Sequence, residues 1–167
     1  VGSEMCIRDS AHAALAKLEA QGKLTAVVTQ NIDGLHQLAG SKNVYELHGS
    51  IHRNHCMRCN RFFDAEYVKN HSGIPYCPCG GMIKPDVVLY EESLDPDVLA
   101  GAVAHISRAD MLIVGGTSLQ VYPAAGLINY YSGNKLVLIN KTITPYDSYA
   151  NLVINDSIGK ILSAAVE

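Results

Sequence analysis

A chain of 167 residues with 48% hydrophobic and 17% charged side chains can build one packed domain with a small insert; a disordered or fibrous chain is excluded. The formal net charge of −3 leaves no basic surplus for neutralising phosphates, which excludes nucleic-acid binding through bulk charge. The longest apolar runs, Ala26–Val28 and Met111–Val114, fall far short of the roughly 20 residues that span a bilayer. No charged-then-apolar order marks a signal peptide, so the expectation is a soluble, cytoplasmic chain with neither nucleic acid nor membrane as partner.

Val1–Ser10 shows neither helical nor strand periodicity. It reads as translated adapter sequence or as a disordered terminus, and Cys6 is set aside with it. From Ala11 the pattern turns regular: Ala11, Ala14, Leu15 and Leu18 recur at helical spacing, and Gly22 supplies a stop. Thr25–Val28 is a short buried-strand run followed by Thr29, Gln30 and Asn31; Val44–Leu47 is a second, followed by His48 and Gly49. Past the cysteines, Asp86–Tyr90 reads as a third strand. Asp95, Pro96 and Asp97 then open a helix with an acidic cap and a proline at its first position. Val98, Leu99, Ala102, Val103 and Ile106 form its apolar face. Strand Met111–Val114 runs into Gly115–Ser118, and a helix follows from Pro123 to Tyr131. Strand Leu136–Ile139 stops at Asn140, strand Leu152–Ile154 at Asn155 and Asp156, and a helix over Ile158–Val166 closes the chain.

Apolar strands alternating with helices predict an α/β fold, a parallel sheet with helices on both faces. Polar residues follow the strands in register: Gln30 and Asn31, His48 and Gly49, Gly116–Ser118, Asn140, Asn155 and Asp156. Ligands bind at that edge of an open parallel sheet, which points to a nucleotide-type crevice.

Four of the five cysteines form a tight group, Cys56-x2-Cys59, seventeen residues, then Cys77-x-Cys79. Two close thiol pairs at this separation read as a four-thiolate structural zinc site in a small insert over 53–82; reactive redox thiols are the alternative. The second pair is one residue shorter than the usual C-x-x-C. The knuckle is therefore either strained or missing one ligand, with His71 as a substitute. Between Thr29 and Gly49, amides, a carboxylate at Asp33 and the imidazole of His48 gather at strand ends. Amides suit a carboxamide or a ribose, and an imidazole is the natural base near neutral pH.

TQNIDGLH (29–36), ELHGS (46–50), the cysteine pairs, KPDVVLYEE (84–92), GTSLQVYPAA (116–125) and LIN (138–140) come in the order found in sirtuins. From Ala11 to Glu167 the chain resembles these NAD-dependent protein deacylases. The resemblance implies a partial Rossmann-like NAD domain over 11–52 and 83–167, with a zinc-ribbon-like insert over 53–82. Acyl-lysine peptide and NAD would meet in the cleft between the two. Carried over motif by motif, His48 is the general base and Asn31 orders the ribose and a water. Ile32 and Asp33 hold the nicotinamide carboxamide, while Gln30, Gly116, Thr117, Ser118, Asn140 and Ile158 contact the rest of NAD. Val87 and Val88, with Val121 in the segment Gln120–Tyr122, would present backbone to the peptide as an added strand. Zinc would sit on Cys56, Cys59, Cys77 and Cys79. Loss of nicotinamide builds positive charge on the ribose, and between Gln30 and Gly49 the only Lys or Arg is Lys42.

Two departures matter. The first strand, the Gly-Ala-Gly phosphate loop and the Gly-Ile-Pro-Asp-Phe-Arg stretch of the family do not occur here. The chain therefore reads as an N-terminally truncated fragment, expected to bind NAD poorly and turn over little. Leu89-Tyr90-Glu91-Glu92 also stands where many members have Phe-Phe-Gly-Glu. A dehydrogenase would need a Gly-x-Gly-x-x-Gly turn, which Gly115-Gly116 does not make. A zinc-stabilised binding module without catalysis is the other alternative, and the fate of His48 separates it from an enzyme.

Overall fold

The computed structural model describes residues 10–166. The stretch read as adapter or disordered terminus, Cys6 included, lies outside the described residues apart from Ser10, which instead opens a helix. The elements are α1 (Ser10–Ala20), β1 (Val27–Thr29), α2 (Leu35–Ala39), β2 (Val44–Glu46), β3 (Gly49–Cys56), β4 (Phe62–Asp64), α3 (Ala65–Lys69) and β5 (Ile83–Val87). They continue with α4 (Pro96–Arg108), β6 (Leu112–Gly115), β7 (Leu136–Ile139), β8 (Leu152–Ile154) and α5 (Ile158–Ala165). The chain divides into two compact units. One holds the described residues up to Val28, Leu35–Tyr45 and those from Pro96 onward; the other holds Thr29–Gly34 and Glu46–Asp95.

In the first unit, β6, β7 and β8 form a parallel sheet in that order. Strand alternation sends β7 side chains to both faces. Leu136 and Leu138 join Leu119, Ala125 and Ile128 on one side. Ile139 packs with Ala11, Ala14, Leu162 and Val166 on the other, where α1 lies against α5. Helix α1 ends where Gly22 takes the left-handed conformation, φ 70°. The Gly22 N–H donates to Glu19 C=O and the Lys23 N–H to Leu18 C=O, a helix-closing pattern that glycine adopts without steric cost. The predicted helix over Pro123–Tyr131 is instead a 3₁₀ segment, Ala124–Tyr130. Seven residues with a glycine in the middle give little α-helical propensity.

In the second unit, β3 is the centre of an antiparallel sheet ordered β4–β3–β5. The apolar run after Asp86, predicted as part of the parallel sheet, pairs here with β3 and leaves the strand after Val87. An apolar run does not reveal its partner: the segment between β3 and β5 is long enough for either direction, and the observed pairing is antiparallel. Cys56, Phe63, Cys77 and Ile83 make the core of this unit, with Tyr67 and Val68 packed on it. Asp64 caps α3 by accepting from the Tyr67 N–H at 2.8 Å.

β1 pairs with β2. Among the described residues no helix is long and apolar enough to cross a membrane.

Candidate active site and metal centre

The loop after β1 and the turn after β2 belong to the second unit, and hydrogen bonds lock them together. Leu47 N–H donates to Thr29 C=O at 2.9 Å, and Ile51 N–H to Ile32 C=O at 3.1 Å. Asn31 N–H donates to Thr29 Oγ1 at 3.1 Å, and Asn31 is exposed. His48, half-buried in the turn, places Nδ1 3.0 Å from Gln30 C=O. A carbonyl only accepts, so Nδ1 carries the proton and the neutral ring keeps its lone pair on Nε2. Gln30 therefore orients the imidazole through its backbone, whatever its side chain does. Asp33 is half-buried, and its C=O accepts from His52 Nε2 at 2.9 Å.

Beneath His48, Gly49 lies opposite Val87 and Ser50 opposite Asp86. Val88 N–H donates to His48 C=O at 3.0 Å. Bonded and non-bonded pairs alternate along an antiparallel ladder, so the N–H and C=O of Val87 face away from β3. They line the outer edge of the sheet, while the Val88 N–H is committed to His48. The following turn is strapped by Glu92, which accepts from Leu89 N–H at 2.9 Å and pairs with Lys84 at 3.0 Å. The Leu89 N–H and then Lys84 hold this carboxyl below its ordinary range.

The four cysteines converge. Cys56 and Cys79 sulfurs are 3.4 Å apart, Cys59 and Cys77 sulfurs 3.6 Å, and all four lie within 4.8 Å of one another. Sulfurs at tetrahedral corners about 2.3 Å from zinc would be roughly 3.8 Å apart, so the donor set fits that ion. Burial pushes the Cys56 thiol up, but backbone N–H groups of Cys59 and Arg58 and the neighbouring thiols outweigh it and bring it down to about 6. A backbone bond from Cys79 favours the Cys77 thiolate, yet burial and the three other thiols together push Cys77 up to about 12. One sulfur ionises readily and another resists, as expected of four thiols competing in one place. A divalent cation removes that conflict. The short Cys77-x-Cys79 knuckle needs no substitute ligand: His71 Nδ1 instead donates to Tyr67 C=O at 2.9 Å. His55 Nδ1 faces Asp86 Oδ1 at 2.8 Å.

In the first unit, Gly116, Thr117 and Ser118 follow β6, and Asn140 follows β7. Asn140 is buried and works as a clamp: Oδ1 accepts from Thr117 N–H at 3.1 Å and Nδ2 donates to Thr117 C=O. Its amide shapes the loop, a role that a ligand-contact motif does not reveal. Asn140→Ala leaves both Thr117 groups without that partner, and a cost of about 1–3 kcal/mol is expected. A thermal melt should show the lowered midpoint; an unchanged midpoint would mean the clamp is idle. Ile158, first residue of α5, packs its side chain over Gly115. Val121 is exposed.

Sequence reasoning passed over His52. No local pattern marks it, because its partners Asp33 and Gly34 lie on another element; the sole hint was a histidine just past a strand-end glycine.

The Sir2 family model matches residues 3–123. A Clostridium acetobutylicum protein named NAD-dependent protein deacetylase is 67% identical over 160 residues, covering 95% of this chain and 65% of that protein. A Clostridium tetani protein of the same name is 65% identical over 159 residues, 94% of this chain and 64% of its own. The chain thus spans just under two thirds of these relatives' length. A solved structure of Sir2 with p53 peptide and NAD+ superposes with a TM-score of 0.87 at 43% identity, over 94% of this chain and 68% of that one.

Proposed function

This chain belongs to the Sir2 family, and we propose from that premise that it carries the general base and the zinc module of an NAD-dependent protein lysine deacetylase or deacylase. The reaction transfers the acyl group of a lysine to ADP-ribose, and NAD supplies both the ribose and the nicotinamide leaving group. One observation carries the reading: His48 Nδ1 sits 3.0 Å from Gln30 C=O. With its proton held there, the ring offers Nε2 to take a proton from a ribose hydroxyl. Asn31, exposed beside it, orders the ribose and a water; Ile32 and Asp33 hold the carboxamide, and Gln30 makes a further contact. Gly116, Thr117, Ser118, Asn140 and Ile158 are further NAD contacts in this reading. The outward N–H and C=O of Val87 suit an acyl-lysine peptide that adds as a strand, with Val88 and Val121 flanking it. Zinc on Cys56, Cys59, Cys77 and Cys79 is structural, since all four ligands are protein sulfurs. Cysteines kept as thiols for a metal suit a reducing compartment, and this supports reading the protein as cytoplasmic.

The test joins the chain to the stretch of the Clostridium acetobutylicum relative that lies outside the match. Nicotinamide release from NAD with an acetyl-lysine peptide is then measured. Activity should appear and fall about 10²–10⁴-fold in His48→Ala. A rate indifferent to that substitution, or no release at all, would leave the zinc-stabilised binding module as the better account.

A further inference from the structure

We propose that His52, outside every motif quoted above, is a positioning residue that holds the Asp33–Gly34 peptide in the geometry that receives nicotinamide. The proposal rests on the functional reading just given and adds a residue to it.

The argument begins with a break in β3. Ser50 pairs with Asp86, yet the next pair along β5 is Asn54 with Pro85. Ile51, His52 and Arg53 therefore leave the ladder with β5 and bulge away from it, as strands often do beside sites where a side chain must be re-aimed. The bulge meets the loop after β1 at two successive carbonyls. Ile51 N–H takes Ile32 C=O at 3.1 Å, and His52 Nε2 takes Asp33 C=O at 2.9 Å. A carbonyl cannot donate, so Nε2 carries its proton whether the ring is neutral or charged. The donor persists in either state.

The bulge is itself tied down at both ends. Ser50, only 2% exposed, accepts the His52 N–H on Oγ at 3.2 Å. Arg53 pairs with Glu46 at 2.7 Å. The imidazole also lies directly on Gly34, where a Cβ would come within 2.8 Å of ring Cδ2. Ring and loop are thus fitted to each other through a donor and a close face. Rotation of the Asp33–Gly34 peptide would swing the Asp33 carboxyl away from its carboxamide partner, and misplacements of about 1 Å are costly in such sites.

The experiment uses the full chain as wild type, His52→Phe and His52→Gln. Phenylalanine keeps a ring without a donor; the glutamine amide puts a donor at similar reach without a ring. Hydrogen exchange at the Asp33 and Gly34 amides reports the loop, and nicotinamide alone, titrated against those signals, reports the site. Zinc content checks the fold. In His52→Phe, exchange should quicken and nicotinamide affinity should drop by roughly 3- to 10-fold, the range one hydrogen bond commands. His52→Gln should stay within about twofold of wild type. If the phenylalanine variant does not fold, His52→Met, bulky and without a donor, takes its place. A donorless variant that matches wild type in both readouts overturns the proposal, as does a glutamine variant as impaired as phenylalanine. Nicotinamide that binds neither this chain nor the extended chain of the functional test overturns the functional reading instead, while the exchange rates still decide whether His52 clamps the loop.

Discussion

Gly49→Ala is expected to lower stability by roughly 2–5 kcal/mol, from a left-handed backbone cost of about 1–2 and an overpacking cost of about 1–3. Gly49 has φ 77°, and a Cβ there would sit 1.8 Å from the Asp86 carbonyl oxygen. That oxygen belongs to the backbone of β5 and cannot rotate aside as a side chain would. The ladder must part where Val88 N–H meets His48 C=O, and the imidazole moves with it. Urea unfolding should show the lowered midpoint, and amide exchange at Val88 should rise sharply. Gly73→Ala is the control, because Gly73 has φ 81° but no heavy atom within 4 Å of a built Cβ. It carries the backbone cost alone, about 1–2 kcal/mol. Equal effects of the two substitutions would remove the steric argument.

Taking away the metal should do still more to the second unit. The buried cluster around β3, β4 and the cysteine segment is Cys56 and Cys77 with Phe63 and Ile83, so half of that cluster is made of zinc donors. A cluster built half of metal donors draws much of its order from the ion, whose binding is worth about 10–16 kcal/mol in zinc-finger peptides. The purified chain should contain about one zinc, and a strong chelator or Cys79→Ser should remove it. Circular dichroism should then lose the β signal of this unit, and thiol reagents should reach cysteines that were protected. A chain that keeps its spectrum and its urea midpoint after complete zinc removal would show that β3, β4 and β5 hold without metal.

Parts of this arrangement are legible residue by residue. Gly22 announces the end of α1, because a left-handed closing residue is a local requirement. The apolar runs 136–139 and 152–154 announce β7 and β8, and the polar residues after each strand mark one sheet edge. The cysteine spacing announces a shared ion, since two short knuckles bring two donors each. Other parts are silent in one dimension. The run 86–90 is as apolar as a parallel strand, and its antiparallel partner is known only once β3 lies beside it. Asn140 reads as a ligand contact, and the hold of its amide on Thr117, 23 positions away in sequence, is a further role that no local pattern announces.

Local backbone preference and donor spacing settle where elements such as α1 and β7 stop and which atoms can hold a metal, and that much is written in neighbouring residues. The direction of β5, the bulge that turns His52 onto Asp33, and the carbonyl that leaves His48 with a free Nε2 depend on pairs such as Gln30 and His48, 18 positions apart. Only the packed chain brings such partners within hydrogen-bond reach, because a carbonyl accepts from whichever donor the fold places beside it.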